Sequence, residues 1–244
     1  MEILNVRYDN LTLDIAVERA LELARGQDKA SIFFLNIDCL NKAQSDKEYL
    51  ESLKHASLVL PDGIGLKLAT ILFGGRMRDN CNGTDLSPIL MEKAAAEGLK
   101  LFFLGGCEGI AEKAAENISK KIPAIKITGT SSGYFNNDDH VIDKINGSGA
   151  EMLFVALGVP LQEKWIVKNR DRLNPKLCLG VGALLDYLSG RIKRAPKFMR
   201  TIHLEWLWRI FIDPRRMFKR YIVDGAGFFI YLLFYRFRKT ITQR

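Results

Sequence analysis

The chain has 244 residues, of which 48% are hydrophobic and 26% are charged, a balance typical of a globular protein with one sizeable domain, alone or with an appendage. It contains no run of about 18 uncharged apolar residues and begins with an early acid, Glu2, so we predict neither a membrane-spanning helix nor a signal peptide. The four cysteines form no CxxC pair and the three histidines lie far apart, which favours reduced thiols and argues against a metal site.

Basic residues are concentrated near the C-terminal end. The formal net charge is +8, but residues 189–244 contain fourteen Lys and Arg against three Asp and Glu, a net charge of +11. Residues 1–188 therefore carry a net charge of −3. A basic segment on a nearly neutral body indicates an anionic partner, which could be phospholipid headgroups, a pyrophosphate or nucleic acid.

Strand and helix patterns alternate along most of the chain. Glu2–Val6 and Leu11–Leu13 are predicted to be short strands around a turn at residues 8–10, and Asp14 is the predicted N-cap of a helix that ends near Gly26. The other predicted strands are 31–35, 58–60, 100–104, 124–130, 151–157 and 176–181. The other predicted helices are a segment that follows residue 38 and runs through 52, and then 64–73, 86–96, 110–121, 138–146 and 160–170.

This alternation predicts an α/β fold for residues 1–194, a mainly parallel, Rossmann-like sheet with helices on both faces. Residues 195–244 interleave aromatic and basic side chains and are predicted to form a basic, helical C-terminal appendage. Its last apolar run, Gly225–Phe237, is too short to span a bilayer and is flanked by Arg and Lys, like a helix that lies in the membrane interface. The alternative is a helix docked on the core or on a partner subunit.

Polar groups and glycines directly follow several of the predicted strands. In a parallel sheet they would all lie along the carboxyl edge, where α/β proteins bind ligands, so together they predict a cleft. They are Asn36, Asp38, Asp62, Gly105, Gly106, Gln162 and Glu163.

Two interpretations remain for several of the candidate residues. Proline and glycine on either side of Asp62 force the chain out of the strand, and the Asp62 carboxylate could act in a cleft or could only cap the next helix. The Gly105–Gly109 turn could bind phosphate or only turn the chain. Gln162 and Glu163 could hydrogen-bond sugar hydroxyls or a base, or Glu163 could only favour a helix N-terminus. Arg194 lies in a basic loop that could contact phosphates or stay solvated.

Several motifs that occur in a fixed order carry a specific resemblance. They are Leu60–Gly65, Asn82–Asp85, Gly129–Phe135, Gly158–Trp165, Gly180–Ala183, Gly190, Arg194–Pro196, Leu204–Trp206, Arg209, Pro214 and Arg216. From about Asn5 to Tyr221 the chain resembles the WecG/TagA/CpsF glycosyltransferases, glycosyltransferase family 26.

The resemblance implies an inverting, metal-independent transferase without a cofactor. Its donor would be a UDP-sugar and its acceptor a polyprenyl-pyrophosphate-linked saccharide at the cytoplasmic face of the membrane, where the protein would be peripherally bound. The family uses N-acetylmannosamine, its uronic acid, or other hexoses and hexuronic acids to build teichoic-acid linkage units, common antigen, capsule or exopolysaccharide. Nucleic acid is not an expected partner, and homo-oligomerisation is left open.

Matched motif by motif, Asp62 corresponds to the proposed catalytic base and Gln162 to a residue of the substrate pocket. Arg209 and Arg216 correspond to arginines of an appendage that is thought to close over the cleft, and Lys219 and Arg220 are further candidates for phosphate or membrane contact. The remaining predicted substrate-binding residues are Asn36, Asp38, Asn82, Thr84, Asp85, Gly105, Gly106, Glu163 and Arg194.

The chain departs from the family pattern at two places. Asn80 and Cys81 stand where many members have Arg-Val, so Arg78 or an arginine of the appendage would have to hold the donor phosphate. The triplet 34–36, Phe-Leu-Asn, stands where many members have Thr-Pro-Asn, which leaves the donor sugar unassigned.

Two other functions compete with glycosyl transfer. A non-catalytic nucleotide-sugar or nucleic-acid binding module would also use a basic, aromatic segment, but here the basic residues flank an apolar helix and do not line a polar face. A dehydrogenase or epimerase on a related fold is disfavoured because the GxGxxG spacing is missing.

Overall fold

The computed structural model describes residues 1–201 and 204–242. Its strands are β1 (Glu2–Ile3), β2 (Val6–Arg7), β3 (Ala30–Leu35), β4 (Leu58–Pro61), β5 (Lys100–Gly105), β6 (Lys126–Ser131), β7 (Met152–Ala156) and β8 (Leu177–Gly180). The first two form an antiparallel pair, and the other six form one sheet in the order β4–β3–β8–β7–β5–β6. Every pairing within the larger sheet is parallel, which confirms the predicted α/β fold.

Helices connect the strands and cover the sheet. They are α1 (Leu13–Arg25), α2 (Ile37–Ser45), α3 (Lys47–Lys54), α4 (Gly63–Leu72), α5 (Gly83–Ala96), α6 (Ile110–Lys121), α7 (Asp138–Gly147), α8 (Leu161–Asn169), α9 (Leu184–Ser189), α10 (Lys197–Thr201), α11 (Glu205–Ile212), α12 (Pro214–Phe218) and α13 (Gly225–Thr242). A π-helical segment, Lys219–Asp224, leads into α13.

Two apolar cores enclose the sheet, one on each face. The strands β3 and β8 are buried along their whole length, as expected for parallel strands that are covered on both sides. One core contains the buried faces of α1, α5, α6 and α9. The other contains those of α2, α3, α4, α7 and α8, together with two side chains of α13.

Some sequence predictions near the N-terminus are wrong. The chain turns at Leu4 and Asn5, which both have positive φ, so the hairpin is shorter than predicted, and residues 11–13 form no strand. The predicted turn residue Tyr8 is fully buried, and its hydroxyl lies 2.8 Å from that of Thr70. Thr12, not Asp14, caps α1, since its side chain accepts from the Ile15 N–H.

Asp46 and Asn82 explain two wrong helix boundaries. Asp46 caps α3, so the segment predicted as one helix is two. The side chain of Asn82 caps α5 and moves its start to Gly83.

The last helix, α13, has two different faces. Phe228 and Leu232 are buried in the core beside α2 and α4, so the docked alternative describes this face. On the outer face, Phe234 and Phe237 are each 67% exposed. Among the described helices, none combines the length and the apolar character that crossing a bilayer requires. The domain boundary at residue 195 stays a prediction.

Candidate active site

Asp62 lies at the carboxyl end of β4, where the backbone leaves the sheet. Its N–H donates to the carbonyl oxygen of Leu35 at 2.8 Å, which fixes its place next to the end of β3. Gly63 has a φ of 87°, a left-handed conformation that glycine adopts without strain. The Gly63 N–H donates to Oδ1 of Asn80 at 2.7 Å, whereas the Asp62 side chain makes no capping bond. The capping interpretation of Asp62 is therefore wrong, and its carboxylate takes no part in the start of the helix.

The charges around Asp62 act on it in opposite directions. Burial raises the pKa of its carboxyl group above the ordinary value, and the nearby charge of Glu205 adds to this. The charges of Arg209 and Arg220 and a long contact from Asn36 lower it. That contact joins Asn36 Nδ2 and Asp62 Oδ2 over 3.5 Å. A partly desolvated carboxylate beside cations combines a raised proton affinity with an electrostatically prepared site.

Arginines of the C-terminal segment reach this edge of the sheet. Arg220 forms an ion pair of 3.0 Å with Asp38, which also pairs with Lys42 at 2.8 Å. The Arg209 guanidinium lies 5.6 Å from the centre of the Tyr187 ring and pairs with Glu205 at 3.4 Å. The appendage therefore lies against this edge of the sheet, and its cationic side chains interact with two acids that follow β3 and β4.

Two other basic residues of the appendage, Lys219 and Arg216, are predicted to contact phosphate or the membrane. Lys219 is exposed. The side chain of Arg216 lies outside the described part of the chain, so its predicted role stays untested.

A second polar cluster surrounds the start of α5. The Asn82 carboxamide oxygen accepts from the Asp85 N–H at 2.9 Å and from the Thr84 hydroxyl at 2.6 Å. Asp85 forms an ion pair of 2.6 Å with Arg194, and Arg194 also donates to the Thr84 carbonyl oxygen at 3.2 Å. Arg200 lies 3.7 Å from the same carboxylate. These four predicted site residues thus hold one another and tie α10 to the sheet edge.

The Gly105–Gly106 turn packs strands closely together. Gly105 has a φ of 138°, and a Cβ added there would lie 2.4 Å from the carbonyl oxygen of Ala156. The Gly106 N–H donates to that same oxygen at 3.3 Å, so it is already paired within the protein. α6 begins only at Ile110. This geometry favours the turn interpretation of the two glycines over the phosphate-binding one.

Gln162 and Glu163 point into the protein, with exposed fractions of 2% and 0%. The Gln162 Nε2 donates to Glu163 Oε1 at 2.8 Å, and Gln162 Oε1 accepts from the Gly182 N–H at 2.9 Å. Burial raises the pKa of Glu163 to about 7. Glu163 is therefore fully buried and has no surface for substrate contact in this conformation.

Sequence reasoning missed three residues at the site. Asn80 is predicted only as a departure from the family. Its side chain accepts from the Gly63 N–H at the start of α4, and the Asp62 carboxylate makes no capping bond. Glu205 stands in a quoted motif without a role, although it pairs with Arg209. Tyr187 carried no sequence signal. Arg78 is exposed, and the cations whose charges act on Asp62 are Arg209 and Arg220 of the appendage.

Within residues 1–201 and 204–242, no three or more His, Cys, Asp and Glu side chains lie together so that they could hold a metal ion. The absence of a metal from the reaction stays a prediction.

Comparisons with known proteins agree on one family. The model of the glycosyl transferase WecG/TagA/CpsF family matches residues 1–242. Three similar proteins are called N-acetylglucosaminyldiphosphoundecaprenol N-acetyl-beta-D-mannosaminyltransferase. The Bacillus spizizenii protein is 36% identical over 175 residues, which cover 72% of this chain and 68% of that protein. The Bacillus subtilis strain 168 protein is 33% identical over 187 residues, 77% and 73% of the two chains. The Staphylococcus aureus strain MRSA252 protein is 29% identical over 220 residues, 89% and 86%.

Proposed function

Because the chain belongs to the WecG/TagA/CpsF family and is a glycosyltransferase, we propose that it moves a hexose-type sugar from a UDP-sugar to a saccharide linked to polyprenyl pyrophosphate. The names of its relatives describe transfer of N-acetyl-mannosamine to N-acetylglucosaminyl-diphosphoundecaprenol. For this chain the donor sugar is N-acetylmannosamine, its uronic acid, or another hexose or hexuronic acid. The other two functions considered, a non-catalytic binding module and a dehydrogenase, lose their support, since the family is one of glycosyltransferases.

The proposed mechanism rests on one observation. The Asp62 carboxylate, which makes no capping bond, lies at the carboxyl edge of the sheet and interacts with the charges of Arg209 and Arg220. A single displacement needs a base that removes the proton from the acceptor hydroxyl as the hydroxyl attacks the anomeric carbon. Asp62 has the place for this role, and its raised pKa makes the carboxylate a stronger base. Attack from the side opposite the leaving nucleotide inverts the anomeric centre.

The leaving diphosphate gains negative charge as the glycosidic bond breaks. Arg209 would stabilise this charge, since stacking on Tyr187 and pairing with Glu205 hold its guanidinium in place before substrate binds. With this assignment, the transfer would need no metal ion. The Asp38–Arg220 ion pair keeps the appendage over the same edge, where both substrates would be shielded from water.

The exposed apolar surface of the appendage would bring the enzyme to its lipid-linked acceptor. Exposed Phe211, Phe218, Phe234 and Phe237 come from successive helical segments, and the surrounding segment carries the whole basic excess of the chain. Aromatic side chains among basic ones suit a surface of anionic phospholipids. The protein would thus lie peripherally on the inner face of the cell membrane.

Replacement of Asp62 by Asn tests the base. Asp62→Asn should lower kcat by about 10²–10⁴-fold, the usual contribution of a general base, and should leave UDP affinity within threefold. Asp9→Asn is the matched control, because Asp9 accepts from the Val59 N–H of the same strand at 2.9 Å. A panel of UDP-sugars with a synthetic lipid-pyrophosphate acceptor measures both. If Asp62→Asn kept more than a tenth of the rate, the assignment of the base would be wrong.

A further inference from the structure

The first turn of α8 contains two buried polar side chains, Gln162 and Glu163. All but one of their side-chain N and O atoms have a hydrogen-bond partner. Gln162 uses its amide nitrogen for Glu163 and its amide oxygen for the Gly182 N–H. Glu163 Oε1 accepts from Gln162, whereas Glu163 Oε2 has no hydrogen-bond partner. Neither residue has the exposed surface that binding a substrate directly would need.

We propose that Glu163 is a positioning residue of the transfer reaction: its carboxyl group fixes the Gln162 amide, which in turn holds the Gly182 turn and, through α9, the cation that faces Asp62. This inference rests on the proposed function for its catalytic consequence. The positioning itself is a property of the protein without substrate.

The hydrogen bonds of Gln162 allow only one orientation of its amide. A flipped amide would place its oxygen against the Glu163 carboxyl oxygen and its N–H₂ against the Gly182 N–H. The contact of N–H₂ with N–H would be repulsive, and the buried Glu163 Oε1 would lose the donor that it now has. Glu163 and the Gly182 N–H together select the orientation, and without Glu163 the amide nitrogen of Gln162 would lack this acceptor.

Gly182 is linked through α9 to Arg209. Gly182 lies in the turn that joins β8 to α9, two residues before α9 begins. Tyr187 lies in α9, and its ring contacts the Arg209 guanidinium. The charge of Arg209 in turn acts on Asp62. A displaced turn after β8 would therefore move the surface on which Arg209 rests.

Burial raises the pKa of Glu163 to about 7, so its carboxyl group holds a proton below that pH. Lys42 and Cys39 of α2 and Tyr49 of α3 interact with it electrostatically. The Tyr49 hydroxyl is also buried without a hydrogen-bond partner. An amide at position 163 could still accept from Gln162 with its oxygen, and its N–H₂ group would then face this part of the core.

Three variants separate positioning from a simple contribution to stability. Glu163→Gln keeps an acceptor, Glu163→Leu removes it, and Asn169→Leu is the matched control. Asn169 is 1% exposed in the same helix, and its side chain donates to the Trp165 carbonyl oxygen at 3.0 Å, away from the Gln162 chain of contacts. If Glu163→Leu does not fold, Glu163→Asp, which withdraws the carboxyl by one methylene group, takes its place.

Hydrogen–deuterium exchange of the Gly182 amide, kcat with the lipid-pyrophosphate acceptor, and UDP affinity are measured for each variant. For Glu163→Leu we expect at least tenfold faster Gly182 exchange, a loss of 10-fold or more in kcat, and at least fivefold weaker UDP binding. Glu163→Gln should stay within threefold of the unaltered protein in all three, and Asn169→Leu should match it even if its melting temperature falls. The proposal is overturned if Gly182 exchange is unchanged in Glu163→Leu, if Glu163→Gln is equally impaired, or if Asn169→Leu loses as much activity.

The exchange measurement needs no substrate. An unaltered protein that neither transferred a sugar nor bound UDP would contradict the proposed function, and Gly182 exchange would still decide the positioning role.

Discussion

The buried carboxyl group of Glu163 should make the stability of this protein depend on pH, and Glu163→Gln should remove that dependence. Burial raises the pKa from 4.5 to about 7 in the folded protein. Since the folded state then binds the proton more tightly than the unfolded chain, the contribution of Glu163 is fully present below pH 4.5 and is lost as the pH rises to about 7. The pKa difference corresponds to about 3 kcal/mol in the free energy of unfolding.

Urea unfolding of the two proteins at pH 5, 6, 7 and 8 measures this effect, because all other titrating groups cancel in the difference. The stability of the variant relative to the unaltered protein should rise by about 2–3 kcal/mol from pH 5 to pH 8, with most of the change below pH 7. Above pH 7 the two curves should run nearly parallel. A difference that changes by less than about 1 kcal/mol over the whole range would show that Glu163 is not a buried acid with a raised pKa.

Four further predictions concern the cleft and the appendage. Arg209→Gln should lower kcat by about 10²–10³-fold, as loss of a preorganised charge donor does, and a loss below fivefold would contradict its role. EDTA should leave the rate of the unaltered protein unchanged, and restoration of a lost rate by added Mg²⁺ or Mn²⁺ would refute metal-independent transfer. Replacement of both Phe234 and Phe237 by Ser should reduce sedimentation with anionic vesicles at least fivefold without lowering the melting temperature. Tyr134→Ser, at another exposed aromatic residue, should leave sedimentation unchanged. Equal binding by the two variants and the unaltered protein would rule out this surface. Gly105→Ala should destabilise the fold by roughly 1–3 kcal/mol through strain and overpacking, while Gly147→Ala, where a Cβ meets nothing within 4 Å, should not destabilise it; similar urea midpoints for both would contradict the packing argument.

Removing the whole appendage would be a poor test of these roles. Phe228 and Leu232 of α13 are buried in the core, so truncation would open that core as well as removing the exposed phenylalanines. Point substitutions on the outer face keep the two effects apart.

The sequence by itself determined the fold class and the edge at which the site lies. Apolar runs such as 31–35 and 58–60 specify strands because their side chains are buried on both faces of a parallel sheet. Once the sheet is parallel, residues that follow its strands, such as Asn36 and Asp62, must lie at one edge. These are local signals, and they need no knowledge of what packs where.

Only the tertiary structure decided which of these side chains are open to the cleft and what they face. The sequence leaves a capping role open for Asp62. In the structure Asn80, from a separate loop, accepts from the Gly63 N–H of α4, and Asp62 makes no capping bond. By its position Glu163 looks like an exposed first-turn acid, yet it is fully buried, and burial is the main cause of its raised pKa. The cations opposite Asp62 come from residues 209 and 220, because contacts between distant segments form only when the whole chain packs, and no local pattern encodes them.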